Sequence, residues 1–233
     1  HSVVLPFGNG RRLSFGGIVD RADICRVGGS DYLRIIDYKS SRKDITPETL
    51  ACGINMQMLL YLFASTDKGG LYEGFEPAGV LYSPIRISNV EIEKHKVDSK
   101  NSGAVKDSLR SSGLVLGDMD ILQAMEKDVR GEFIPVKLDK NGVPDKNSRC
   151  VSAEAMTLLR SYTYGKLVTM AESLLAGNAE AVPLVIGGNV PCSYCDYINI
   201  CDNSELLSKR EPDEKKVAEA ADILGRKYER EEE

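Results

Sequence analysis

The stretch from Leu13 to Ser40, LSFGGIVDRADICRVGGSDYLRIIDYKS, constrains the fold more than any other part of the chain. Two apolar, β-branched runs flank the turn signal Val27-Gly28-Gly29-Ser30-Asp31, which predicts a hairpin of two long strands. Side chains two apart on a strand share a face. The second strand therefore sets Leu33, Ile35, Asp37 and Lys39 on one side and Arg34, Ile36 and Tyr38 on the other. In the first strand, Asp20 shares a face with Ile18, Ala22 and Ile24. Each carboxylate thus continues an apolar, core-facing series. Burying a lone carboxylate is costly unless a cation or hydrogen-bond donors compensate it. Two aspartates and a lysine converging at one end of a hairpin point to a site for a hard divalent metal.

The 233 residues fit one domain of generous size, or one domain with a substantial insertion. No apolar stretch approaches the roughly 20 residues that span a bilayer, so a membrane role is not expected. The opening HSVVLPFGNG has neither the basic nor the apolar region of a secretory signal. It leads from a histidine straight into a strand, and the chain is read as a piece of a longer protein. The net charge of −5 does not advertise nucleic-acid binding, but the acidic tail from Glu211 onward contributes to it, and local basic patches decide phosphate binding. Cys25, Cys52 and Cys150 are scattered singly and read as small buried hydrophobes, whereas Cys192, Cys195 and Cys201 are clustered. No secreted disulfide framework is suggested, so a reducing cytoplasm is the expected location.

Thr46 as cap, Pro47 at the first position and Glu48 in the first turn predict a helix over residues 47–65. At helical spacing Leu50, Ile54, Gln57 and Tyr61 form one stripe, with Met58 beside it. Gln57 is thereby expected on an inward face, where an amide needs partners. Gly79 to Ser83 reads as a strand stopped by Pro84, and residues 88 to about 117 as a polar insertion or surface loop. A short helix is expected over 118–129, capped by Asp118 or Asp120, then an extended Phe133–Val136 and a turn at Lys140–Gly142. Ser152 caps a long helix over 153–176, with Met156, Leu159, Leu167, Met170 and Leu174 at helical spacing and Gly177 as its stop. The cysteine cluster and a charged tail follow.

Hydrolysing a phosphodiester requires charge neutralisation at the phosphate, an activated water and a stabilised leaving oxygen. One or two Mg²⁺ ions held by a few carboxylates supply much of this. Asp20 and Asp37 provide the carboxylates, the backbone carbonyl between Asp37 and Lys39 can add a ligand, and Lys39 can position water or stabilise developing charge. Taken alone, an Asp-x-Lys on a strand is more often a salt-bridged strand pair. The wider pattern shifts the balance. Gly17-Ile18-Val19-Asp20-Arg21-Ala22-Asp23, then Asp37-Tyr38-Lys39-Ser40, then Gln57-Met58-Leu59-Leu60-Tyr61 resemble the three signature motifs of the RecB-like nucleases. Those motifs are G-x-x-D-R-x-D, D-Y-K and Q-x-x-x-Y, in this order and with similar gaps. The RecB-like nucleases belong to the PD-(D/E)xK superfamily.

That resemblance implies an α/β (α+β) fold, a mixed central sheet flanked by helices. It implies Asp20 and Asp37 as ligands of Mg²⁺ or Mn²⁺, Lys39 as catalytic, and Gln57 and Tyr61 as supports of the site or contacts to DNA. Arg21 and Asp23 point away from Asp20 on a regular strand and read as a structural ion pair.

Cys192-x-x-Cys195-x5-Cys201 sits beside Pro191 and Tyr194, and three thiols so close bind soft metal more often than they pack idly. The spacing resembles the C-terminal half of the 4Fe–4S staple in the AddB family of bacterial helicase–nuclease subunits. Phe133–Val136 and the long helix before the cysteines are similar to the same family, so the likeness runs from about residue 13 to 203. In that family the fourth cysteine and a metal-binding histidine lie upstream, so no intact cluster is expected on this chain. The implied layout is a nuclease domain over 1–203, with an insertion at 88–150 and a partial cysteine motif at 191–203, followed by a charged tail at 204–233.

The chain carries no G-x-x-x-x-G-K-S/T loop for ATP, and two histidines, His1 and His95, offer no catalytic triad. The expected activity is that of a metal-dependent deoxyribonuclease, an exonuclease acting on single-stranded DNA in double-strand break processing and recombinational repair. The resemblance implies an AddA-type helicase–nuclease subunit as partner and cleavage of the strand with the 5′ end. The alternatives are a Cas4-like exonuclease of the same superfamily and a catalytically idle DNA-binding or scaffolding module.

Overall fold

The computed structural model describes residues 2–7, 10–41, 43–85, 109–188, 191–201 and 209–227. Strands β1 (Ser2–Phe7) and β2 (Arg11–Gly16) pair antiparallel as a sheet of their own. The chain then enters a second sheet through β3 (Arg21–Val27), whose antiparallel partner is β4 (Ser30–Lys39) across the expected Gly28-Gly29 turn. The first arm of the expected hairpin is therefore two strands. The break falls at residues 17–20, where the chain leaves one sheet for the other. Ile18 is 89 % exposed there, and Ile24 also faces out. Asp20 is thus not the end of a core-facing series, although Val19 and Ala22 beside it do pack against the core.

Thr46 caps α1 (Pro47–Ala51) in a reciprocal arrangement with Thr49. The expected single helix ends there. Gly53 at φ +75° and Asn55 at φ +59° adopt left-handed conformations that an α-helix cannot continue through. The chain restarts as α2 (Gln57–Thr66), which buries Met58, Leu59, Leu62, Phe63 and Thr66. The restart changes the phase of the apolar stripe. Leu50 is buried, Ile54 is exposed, and Gln57 opens α2 with its side chain exposed rather than inward.

From α2 the chain returns as β5 (Glu76–Pro84), parallel to β4, so α1 and α2 form the crossover that a parallel pair requires. Next come β6 (Ser112–Leu116), antiparallel to β5, and α3 (Met119–Met125), capped by Asp118. The two-residue β7 (Cys150–Val151) pairs parallel to β6. The order β3-β4-β5-β6-β7 makes a mixed sheet. The expected insertion over 88–150 is thus narrower. Every residue of β6 is buried inside the sheet, a short strand covered on both faces where local composition suggested a surface loop. The polar stretch at 86–108 lies outside the described residues.

Ser152 caps α4 (Ala153–Leu175), and Gly177 stops it at φ +76°. Its first half buries Ala155, Met156, Leu159 and Thr163, while Met170 and Leu174 further on are exposed. The expected charged tail contains α5 (Glu214–Gly225), which buries Ala220 and Ile223 against α1 and α4. Val217, Ala220, Ile223 and Leu224 repeat at helical spacing, which is why this acidic segment docks. The Ser152 N–H also donates to the carbonyl of Arg226 (2.9 Å).

Helices cover both faces of the sheet. Leu33, Ile35, Val80, Tyr82, Leu114 and Leu116 face α1, α2, α4 and α5, while Ile36, Leu81 and Val115 face α3 and the chain that follows it. The first face is the one that carries Asp37 and Lys39 at its end.

Candidate active site

The β3–β4 register sets Arg21 opposite Ile36 and, carried one residue further, Asp20 opposite Asp37. Residues directly across an antiparallel pair project to the same face. Asp20 is tied to this position by the Tyr38 N–H, which donates to its Oδ2 at 3.0 Å. One backbone hydrogen bond thus replaces the strand pairing that ends at Arg21. The exposed Asp20 and the half-buried Asp37 approach from opposite strands.

The Lys39 ammonium lies 2.5 Å from Asp37 Oδ2, yet that buried oxygen accepts no well-directed hydrogen bond. Its charge is compensated while its lone pairs remain open, the condition a metal ligand needs. Mg²⁺ demands few protein ligands, commonly one or two carboxylates with waters and substrate phosphates completing its shell. The pair Asp20 and Asp37 fits that requirement. Among the described residues no group of three or more His, Cys, Asp and Glu side chains is disposed to hold a metal ion.

Gln57 and Tyr61 meet each other rather than the carboxylates. The Gln57 amide donates to the Tyr61 hydroxyl at 2.9 Å, one helical turn away on α2. Tyr61 in turn lies over Gly17. A Cβ at Gly17 would sit 1.8 Å from that hydroxyl and 2.3 Å from the ring carbon bearing it. The glycine of the first motif is therefore there to admit the tyrosine of the third, and the two together hold the segment that carries Asp20. Gly17→Ala should displace the Tyr61 ring and shift Asp20. The expected outcome is a loss of cleavage of about tenfold or more, with circular dichroism and thermal midpoint little changed.

Arg21 and Asp23 form the structural ion pair expected of them. The Arg21 guanidinium donates to both Asp23 oxygens (2.7 and 3.1 Å), and Arg34 from β4 reaches the same carboxylate at 2.5 Å. Burial alone would raise the Asp23 carboxyl, but the two guanidiniums outweigh it and hold the group below its ordinary value. The same carboxylate and the Tyr38 phenol keep Arg21 firmly charged. Tyr82 was not legible as a site residue. It faces Asp37 across the parallel β4–β5 pair and donates its hydroxyl to the Asn55 carbonyl (3.2 Å), just before α2. Burial, with Asp37 and Asp44 nearby, pushes its phenol up to about 12, so it stays a neutral donor. Only the register of a pairing distant in sequence identifies it.

The cysteines are placed differently. Cys192 lies half-buried at a 3-10 turn (Pro191–Tyr194), and Cys195 and Cys201 are exposed. Backbone bonds from Cys195 to Cys192 (3.1 Å) and from Cys201 to Tyr197 (2.9 Å) make a run of turns. The three thiols are not gathered into a metal-ligating set, so their present arrangement does not fit an iron–sulfur cluster. Among the described residues no helix is long and apolar enough to cross a membrane.

Comparison with known proteins agrees with this geometry. The profile of the PD-(D/E)XK nuclease superfamily matches residues 1–202. The B-type subunit of an ATP-dependent helicase/deoxyribonuclease from Thermoanaerobacter sp. (strain X514) is 33 % identical over 204 residues, 85 % of this chain and 18 % of that protein. The protein of the same name from Acetivibrio thermocellus is 30 % identical over 203 residues, again 85 % and 18 %. That from Clostridioides difficile is 33 % identical over 200 residues, 83 % of this chain and 17 % of its own length. The chain therefore spans less than a fifth of these relatives. With its mixed sheet, its paired aspartates and a match over nearly its whole length, the chain belongs to the PD-(D/E)XK nuclease superfamily.

Proposed function

We propose that the chain is the metal-dependent deoxyribonuclease unit of an AddB-like helicase–nuclease subunit, acting as an exonuclease on single-stranded DNA. The observation that carries this reading is the pair Asp20 and Asp37 on adjoining strands, with Lys39 against a buried Asp37 oxygen that lacks a hydrogen bond. Asp20 and Asp37 would hold Mg²⁺ or Mn²⁺. When bound, such an ion neutralises phosphate charge and makes water a nucleophile near neutral pH. Lys39 supplies a cation at the same spot and can hydrogen-bond a phosphate oxygen or orient the attacking water. Gln57 and Tyr61 act indirectly, by keeping the Gly17–Asp20 segment in place.

The names of the relatives support a larger assembly, in which the chain works beside an AddA-type subunit in double-strand break processing and recombinational repair in the cytoplasm. We take residues 1–203 as the nuclease domain, with α5 from the tail packed onto it. The test is cleavage of end-labelled single-stranded DNA by purified protein. Cleavage is expected with Mg²⁺ or Mn²⁺ and none with EDTA. Ends released one or a few nucleotides at a time support an exonuclease, whereas cutting of circular single strands contradicts that mode.

In this reading a 4Fe–4S cluster belongs to the longer protein, to which this chain contributes Cys192, Cys195 and Cys201. The protein purified without oxygen is expected to carry well under the roughly four irons and four acid-labile sulfides of an intact cluster. Full occupancy, measured by iron and sulfide assay with a visible spectrum, would show that a fourth ligand lies within these residues.

A further inference from the structure

A cleft of about 390 Å³ opens behind Asp20. Its walls are aromatic and small: Phe15 from β2, Tyr61, Ala64 and Ser65 from α2, and Tyr72 from the turn after α2. Its size lies in the range of small-molecule sites, and a few polar groups set in apolar walls are the usual composition of one. Asp20 belongs both to this cleft and to the carboxylate pair.

The aromatic walls are held in place before anything binds. Tyr61 is fixed at its hydroxyl by Gln57 (2.9 Å) and seated over Gly17. Tyr72 leans on Phe75 with ring centroids 5.6 Å apart, and its N–H donates to the Ser65 carbonyl (2.8 Å). Walls ordered in advance lose little freedom when a flat ligand enters.

Charge decides the kind of ligand. Among the described residues, the one cation lining the cleft is Arg21, which is already engaged by both oxygens of Asp23, and Asp20 adds a negative charge at the rim. A phosphate is therefore repelled, and a neutral, flat, aromatic group is favoured. We infer that this cleft binds a nucleobase of the DNA strand, the base of a nucleotide beside the scissile phosphate. Tyr61 and Tyr72 offer faces for stacking, and the Ser65 hydroxyl can meet a base edge. Stacking of this kind tolerates any sequence because every base has an aromatic face. Gln57 and Tyr61, which do not reach the carboxylates, thereby acquire a direct role at the substrate.

The inference rests on the proposed nuclease reading, and the experiment separates the two. Single-stranded oligonucleotides carrying 2-aminopurine at successive positions are bound to the whole chain with Ca²⁺ in place of Mg²⁺, and anisotropy of an end label reports binding. The probe's fluorescence should fall severalfold at one or two adjacent positions and not elsewhere. Tyr72→Leu should abolish that local quenching and weaken binding about tenfold, whereas Tyr72→Phe should retain both. Ser65→Phe fills the cleft from α2 while leaving Tyr72 intact, and it should also abolish the quenching. Bound oligonucleotides without position-specific quenching, or quenching that survives both Tyr72→Leu and Ser65→Phe, would overturn the base site while cleavage in Mg²⁺ still upheld the nuclease. Neither binding nor cleavage of any oligonucleotide would overturn both.

Discussion

Asp37→Ala is expected to lower Mg²⁺-dependent cleavage at least about a hundredfold, and Lys39→Ala by a similar factor. The two effects have different origins. Asp37 contributes a buried oxygen free of hydrogen bonds, so its loss removes a ligand. Lys39 contributes the cation beside that oxygen, so its loss removes a charge that would act on the phosphate or the water. Lys39→Ala also leaves Asp37 without its counterion, which should favour metal binding while lowering the rate. Asp37→Asn keeps the shape and should be as inactive as the alanine. Both residues end β4 beyond the buried Leu33 and Ile35, so thermal unfolding should change by only a few degrees. Near wild-type cleavage by either purified variant contradicts the assignment.

The largest expected effect on stability lies far from the carboxylate pair, at Glu126. Its buried side chain accepts four backbone N–H groups, from Arg130 (2.7 Å), Glu132 (3.1 Å), Phe133 (2.9 Å) and Ile134 (3.1 Å). One carboxylate thus replaces the regular structure that the chain lacks between α3 and the second apolar cluster. Val129, at φ +45°, is held in a strained backbone conformation by the same turn, with its side chain in that cluster. Glu126→Ala would leave buried donors unpaired and should cost about 3 kcal/mol, measured by urea unfolding. Burial would raise the Glu126 carboxyl, but the four donors overcome that and hold it below the ordinary glutamate value. The sign follows from linkage. A lowered folded-state pKa adds stability that is complete above the unfolded value of about 4.3, and this is lost as pH falls through the folded-state value. Acid unfolding of Glu126→Gln should therefore be less steep across that window than that of the wild type.

Sequence patterning carried the centre of the sheet more faithfully than its edges. The alternation in β4 was sound because both of its neighbours are strands and its helix-facing side is deeply buried, so period-two patterning maps directly onto structure. The same rule misplaced Asp20. The arm containing Ile18 and Ile24 has the β-branched composition of a strand, but it is divided between two sheets and both isoleucines face outward. Gln57 failed for a related reason. A helical stripe has meaning only while the helix keeps its phase, and Gly53 and Asn55 reset it just before Gln57. The strand β6 was hidden because five buried residues carry no alternation, and the helix α5 because its charged surface outweighs the four apolar residues that dock it.

The contacts that assemble the site were the least legible, because each joins residues distant in sequence. The Tyr38 N–H reaches back to Asp20, Tyr82 approaches Asp37 through a parallel pairing, and Tyr61 seats on Gly17. The motif spacing identified the participants. It did not show that Gln57 and Tyr61 serve each other first.

If Asp20 and Asp37 together make one divalent-metal site, electron paramagnetic resonance titration with Mn²⁺, with and without single-stranded DNA, tests it most directly. The wild-type chain should deplete the free Mn²⁺ signal with a saturable site that tightens when DNA adds phosphate ligands. Asp20→Asn and Asp37→Asn should each weaken that site by more than about tenfold, and the double variant should be little worse than either single one. Mn²⁺ binding unchanged in both single variants would contradict the account.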